Sequence, residues 1–281
     1  MEYYDSGALK RAAREKMATQ NGTVLGAYLL QILILFGVIL IVAMALAGTI
    51  LQPMLSLMSQ ADAASDPFAL QQQLMEQMSR PSNLVISQLI SALIGALAAT
   101  LTTGFSYICL KVSRGQKATV GDLFYVYRHN PDRVILLYLL IFVIQTIISA
   151  PADVLSYFSQ KSPQNTLLYL LQLVFSIASF VISYIFSLMV SQAFFLYLDD
   201  SEAPVLSNFR ESIDMMKGHK GRLFYLQVTF IGWILLSLLT CGILLIFVGP
   251  YMETAYAEFY RNLKHEPLYP APEQPREGML L

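Results

Sequence analysis

Charge is scarce in this sequence. Only 13% of its 281 residues are Asp, Glu, Lys or Arg, against roughly 25% in a soluble globular domain. Hydrophobic residues make up 56%, and so few charges cannot cover that much apolar surface in water. The net charge of −1 lacks the basic excess that marks nucleic-acid binding, which argues against that class of partner. Cysteine is almost absent: Cys109 and Cys241 are the two present. They fall at opposite ends of predicted membrane helices, too far apart for a disulfide. Catalytic signatures are missing as well. There is no H-E-x-x-H, C-x-x-C or G-x-S-x-G, and no phosphate-cradling glycine loop. His129, His219 and His265 have no spacing that joins them into a metal site. The sequence therefore names no catalytic residue, implies no cofactor or metal, and reads as a non-enzyme.

What the chain does have is long uncharged runs, several of about 18 residues or more, the length of a membrane span. The expected fold is an all-α polytopic membrane helical bundle with six transmembrane helices and short interfacial helices. The spans fall at about 24–46, 84–110, 134–150, 167–190, 223–240 and 243–260, within one integral membrane domain over 1–264. The fourth apolar stretch continues to Leu198. It would be roughly 48 Å long against a bilayer core of about 30 Å, so it must tilt or project. The run from Leu223 to Val248 carries no charge. One tilted helix there gives five spans; two helices meeting at Thr240-Cys241-Gly242 give six. With six, 16 of the 18 basic residues lie on one side and only Arg80 and Lys161 fall outside. With five, the last three basic residues also cross over. The positive-inside rule favours six spans, with both termini cytoplasmic in a bacterial plasma membrane. Ala43-Met44-Ala45 imitates a signal cleavage site. The apolar stretch before it exceeds the roughly 7–15 residues of a signal core, so the first span is read as retained.

A basic segment precedes each pair of spans. Ser6 to Met17 is the first. Thr119 suits the cap of a short helix that puts Leu123, Phe124 and Tyr127 on one face. After Pro204, Val205, Leu206, Phe209, Ile213 and Met216 share a face until Gly218. These are predicted interfacial helices, with Lys10, Arg11, Arg14, Lys217, Lys220 and Arg222 as candidate contacts to anionic headgroups. The pattern suggests three repeats of interfacial helix plus hairpin; alternatively, every hairpin simply needs basic flanks. In the outer loop, Asp66-Pro67 opens a predicted surface helix with Leu70, Leu74 and Met78 on one face. Residues 265–281 hold four prolines and read as a disordered proline-rich cytoplasmic tail.

Polar groups inside the spans are the costly ones. Gln31, Gln88, Gln145, Gln172 and Gln227 either bond helix to helix or line a solute path. Ser87, Ser91, Gly95, Ala99 and Thr103 recur every four residues beside Ala92, Ala96, Thr100 and Gly104. These small-residue rows make span two the expected central helix. Ser179, Ser183, Ser187 and Ser191 line span four as a wet stripe or a packing face. Pro250 interrupts the last span three residues before Glu253, a carboxylate roughly 10 Å from the inner end. Glu253, Pro250, Gln172, Ser183 and Ser187 together form the candidate intramembrane polar site. The competing reading pairs Glu253 with Arg222 or Lys220 at the interface. Glu258 and Arg261, three residues apart, are expected to pair on the helix surface.

Three stretches carry a resemblance. They are ALKRAAREKM from Ala8, GFSYICLKVSRGQKATVGDLFYVYR from Gly104, and Glu211 to Tyr260 with MMKGHK, FIGW, PYMET and EFY. Together they resemble the family called domain of unknown function 975. The resemblance implies a multi-pass bacterial membrane protein and brings no site residues with it. The family pattern usually has a second glycine shortly after Gly242, where this chain has Leu244. The expected role is a non-catalytic accessory or scaffold contacting membrane lipids or a membrane or envelope protein partner. The rival is a transporter or channel for a small solute.

Overall fold

The computed structural model describes residues 4–60, 81–162 and 164–268, with backbone alone at 45–60 and 81–85. The predicted outer-loop helix at Asp66-Pro67 and the tail beyond 268 lie outside the described residues. Every regular element described is helical. In chain order these are α1 (Ser6–Thr19), α2 (Asn21–Gln60), α3 (Pro81–Ser113), a 3-10 turn (Val120–Phe124), α4 (Tyr125–Arg128), α5 (Pro131–Lys161) and α6 (Thr166–Val190). They continue with α7 (Ala193–Asp199), α8 (Val205–Met215), α9 (Lys220–Val228), α10 (Ile231–Leu239) and α11 (Leu245–Leu263). Five segments are long and apolar enough to cross a membrane: Asn21–Met44, Ile86–Ser113, Pro131–Lys161, Thr166–Asp199 and Lys220–Leu239.

Helix α11 would be the sixth. Glu253, Glu258 and Arg261 make it too polar to count with the others. Its 19 residues are nevertheless about 28 Å long, near the thickness of a bilayer core. It also runs back beside α9 and α10. Arg222, in the first turn of α9, bonds Asn262 near the end of α11 at 2.7 Å, and Phe230 packs edge-on against Tyr251 and Tyr256. The reversal occurs where the sequence predicts it. α10 ends at Leu239, Cys241 and Gly242 take positive φ of 50° and 84°, and the Gly242 amide bonds the Ser237 carbonyl at 2.8 Å. Leu244 at the second-glycine position does not prevent this turn.

The long fourth stretch does not run on as one rod. It breaks at Ser191–Gln192 and resumes as α7. The cause is α8 docking at the break: the Ser212 hydroxyl accepts the Gln192 amide at 3.2 Å and donates to the Met189 carbonyl at 2.9 Å. The short helices form as their sequences predict. Thr119 and Asp122 close a capping box on the 3-10 turn, and Gly218 ends α8's last turn at φ 79°. α1, the 3-10 turn with α4, and α8 each precede a helical hairpin, so the chain builds the same short-helix-plus-hairpin unit three times.

α3 is the central helix, packed against α2, α5 and α11. Of its most apolar 18-residue stretch, 56% is buried, against 11% in α2, α5 and α6. Its small residues permit this. A Cβ on Gly104 would run into the backbone carbonyl of Leu123, and one on Gly95 into the Tyr138 hydroxyl. The buried apolar residues form two adjoining clusters, both drawn from the same ends of the hairpins. One holds Val24, Leu101, Phe105, Ile108, Val134 and Leu196. The other holds Leu9, Leu188, Leu223, Phe230 and Phe259. Away from that end the helices expose large apolar side chains such as Phe36, Ile147 and Phe180.

Candidate functional site

Two polar regions stand out, and the helix ends just described position both. The first is an ion-paired plate at the packed end. Lys16 of α1 bonds Glu258 of α11 at 2.7 Å, and Glu258 also pairs with Arg261 at 3.0 Å. Arg261 reaches on to Glu266 at 2.8 Å, which Arg114 grips at 2.5 Å. Arg114 then holds Asp199 at 2.8 Å, and Asp199 accepts the Tyr260 hydroxyl at 2.5 Å. The remaining Arg261 donors meet the Ser113 and Pro267 carbonyls. α1, α3, α7, α11 and the segment after α11 are thus joined by one network.

The expected surface pair of Glu258 and Arg261 does form, but in the interior. Their side chains are 0% and 6% exposed, because α1 and the segment up to Leu268 cover that turn of α11. The electrostatics follow from burial and partners. Burial would raise the Glu266 carboxyl, but hydrogen bonds from Arg114 and Arg261 outweigh it and hold the carboxyl below its ordinary value. Burial would likewise raise Asp122, and the Lys111 ammonium at 2.8 Å and the Thr119 amide outweigh it. For Lys16 burial wins: the ammonium is pushed down despite its bond to Glu258.

The candidate headgroup residues divide. Arg11 and Arg14 are exposed on α1, and Lys220 is half-buried at the start of α9. Lys10 lies 5.1 Å from the Phe230 ring centre, and Lys217, just past the end of α8, pairs with Asp214 at 2.6 Å. Arg222 is a structural tie, bonding Asn262 and the Tyr4 carbonyl. The apolar face of α8 is only partly covered. Leu206 is exposed, while Asn208, Ser212 and Met216 are buried and Phe209 meets the Phe186 ring, so this helix packs on the bundle through polar and apolar residues together.

The second region is a polar seam where α2, α3 and α11 meet. Gln31 of α2 donates to the Thr102 hydroxyl of α3 at 3.2 Å. One turn along α3, Ser106 directs its single hydroxyl proton at the Glu253 carboxylate of α11, with the Thr102 carbonyl a competing acceptor at 3.1 Å. Tyr28, one turn from Gln31, lays its hydroxyl where a Cβ on Gly249 would sit. Within α11, Thr254 donates to the Pro250 carbonyl at 2.8 Å. Glu253 therefore bonds Ser106 and not Arg222 or Lys220. Those two lie in the first turn of α9 at the plate, where Arg222 instead bonds Asn262, further along α11 towards its end.

Pro250 shares the seam with Glu253; the other candidate residues do not. Gln172 bonds Ser159 across the α5–α6 hairpin. Ser187 donates back to the Tyr184 carbonyl at 2.8 Å, and Ser183 is half-buried on the same helix. Ser179 reaches the Ile148 carbonyl of α5 at 3.2 Å, and Ser191 bonds within its own helix. The serine stripe is thus used for packing. The glutamines act across helices in three cases: Gln31, Gln172, and Gln227, which accepts the Tyr184 hydroxyl at 2.6 Å. Sequence reasoning missed Ser106, Thr102 and Tyr28. Thr102 and Ser106 are four apart, a spacing that could have marked a third face of α3. Among the described residues, no group of three His, Cys, Asp or Glu is placed to hold a metal ion.

Comparison with known proteins adds one finding. A family model described as "Protein of unknown function (DUF975)" matches residues 1–267. No curated protein and no solved structure matches the chain.

Proposed function

The chain belongs to the DUF975 family, and from that premise we propose a non-catalytic accessory or scaffold in a bacterial plasma membrane. The protein crosses the bilayer six times and keeps both termini in the cytoplasm. It meets anionic lipid headgroups and a membrane or envelope protein partner from its ion-paired plate. The observation that carries this reading is the contrast between that plate and the rest. Of five apolar segments of membrane-spanning length, all but α3 leave most of their surface uncovered, which only a hydrocarbon surrounding makes stable. The plate, by contrast, is polar and cross-linked by charge. Exposed Arg11, Arg14, Lys117, Arg128 and Arg210 decorate it, and α8 lies there with a partly uncovered apolar face. A solute route through Gln172, the serine stripe and Glu253 finds less support, because Gln172 and Glu253 bond in separate interfaces and Ser187 bonds back to its own helix.

Isolation from native membranes in mild detergent, with mass spectrometry of co-purifying proteins and lipids, tests the proposal. A stoichiometric protein partner or retained anionic phospholipid is the expected result. Solute uptake by proteoliposomes containing the protein alone would overturn it.

A further inference from the structure

Glu253 presents an electrostatic problem that the scaffold reading does not use. Its carboxylate sits in the α2–α3–α11 seam, where it accepts the Ser106 hydroxyl. Among the described residues no cationic side chain reaches it. Lys16 is held by Glu258, Lys10 by the Phe230 ring, and Arg222 by Asn262 and Tyr4. The titratable groups that face it are Tyr28, Cys109 and Tyr256, and none brings a positive charge. A carboxylate away from water needs a neutralising partner.

A second observation lies one helical turn away along α3, where Gln31 meets Thr102. Gln31 is 6% exposed, and its amide oxygen is buried without a hydrogen-bond partner while its nitrogen bonds Thr102. A buried acceptor left empty is costly. Along the seam the groups on offer are oxygens: the Glu253 carboxylate, the Ser106 and Thr102 hydroxyls and the Gln31 carbonyl. Hard oxygen donors suit hard cations. A single carboxylate matches one positive charge, whereas calcium takes six to eight oxygens, commonly with several carboxylates.

The geometry points to a binding site for one small monovalent alkali cation in this seam, held by Glu253 and Ser106 with Thr102 and Gln31 completing the oxygen set. A proton competes with it for the same carboxylate. The site does not depend on the scaffold reading: an accessory protein can hold a structural ion, and a scaffold without one remains a scaffold.

The test uses purified full-length protein in detergent. Thermal unfolding is followed at pH 8 in sodium, potassium, lithium or N-methylglucamine chloride at equal ionic strength. The expected result is a saturable rise of several degrees in Tm with one or more alkali cations over N-methylglucamine, abolished in Glu253→Gln. Ser106→Ala and Gln31→Leu, which leave the carboxylate in place, should each weaken the apparent cation affinity several-fold. They keep the question answerable if Glu253→Gln fails to fold, and radioactive sodium binding to the wild-type protein gives a second readout. Equal Tm in all salts, or an unchanged cation response in Ser106→Ala and Gln31→Leu, would overturn the assignment. So would a response to pH alone, which would mean that a proton is the only occupant.

Discussion

The two ends of this bundle are built on opposite principles. At the plate, Lys16, Glu258, Arg261, Glu266 and Arg114 form one charge network, and both apolar clusters lie against it. At the far end the hairpin of α10 and α11 stands almost unpacked, with Leu239 81% exposed. Helices in lipid gain nothing from hiding leucine from leucine, so association must come from close backbone approach and polar bonds. This chain places its charge network and its closest backbone approach, Gly104 on Leu123, at one end, while away from it α5 and α6 are tied by Ser159–Gln172 and Ser179–Ile148. The far ends need only satisfy the hydrocarbon around them.

If that contrast is right, substitutions should separate sharply by end. The largest effect is expected from Arg261→Ala, which leaves Glu258 buried without one of its two cationic partners. Removing one partner of a buried pair costs about 3–5 kcal/mol, read as a large fall in Tm or as loss of folded protein. Replacing both, as Glu258→Leu with Arg261→Met, should cost clearly less than the single change. Next comes Gly104→Ala. Its Cβ would collide with the Leu123 carbonyl, and overpacking of this kind costs about 1–3 kcal/mol. Gly115→Ala, at an open plate position, is no control because its φ is 73°; Gly22→Ala, with open space around it, is. Tyr184→Phe removes the bond to Gln227 and should cost about 0.6–2 kcal/mol. At the far tip, Leu239→Ala should change stability by no more than about 0.5 kcal/mol. A tip substitution as harmful as Arg261→Ala would erase the distinction between the ends.

Acid should act through the plate as well. Glu266 and Asp122 titrate below the ordinary carboxylate range once folded. Their stabilisation is therefore complete above the unfolded value of about 4 and is lost as pH falls through the lower folded values. Wild-type Tm should be lower under strong acid than near neutrality. Glu266→Gln should lower Tm at neutral pH and narrow its difference from wild type in acid.

The helices themselves were readable from sequence because uncharged runs, Gly218, Thr119 and the Thr240–Gly242 turn each leave a local mark. The central place of α3 was readable from its small-residue rows for the same reason. What joins the hairpins was not. Arg114 and Glu266 lie 152 residues apart, and no local pattern connects them. Glu258 and Arg261 looked like a surface pair because helical spacing says who can meet and not what covers them. Glu253 was visible as a carboxylate in a span, but its partner Ser106 sits 147 residues away on a face of α3 that carries no apolar periodicity.

The central claim is that α11 brings the chain back, so that Lys264, Lys117 and the start of α1 share one side of the membrane. Single cysteines at positions 117, 161 and 264, in a background with Cys109 and Cys241 replaced, measure this directly with a membrane-impermeant thiol reagent on intact cells. The expected result is labelling at 161 and protection at 117 and 264 until the cells are opened. Labelling at 264 together with 161 in intact cells would contradict the account.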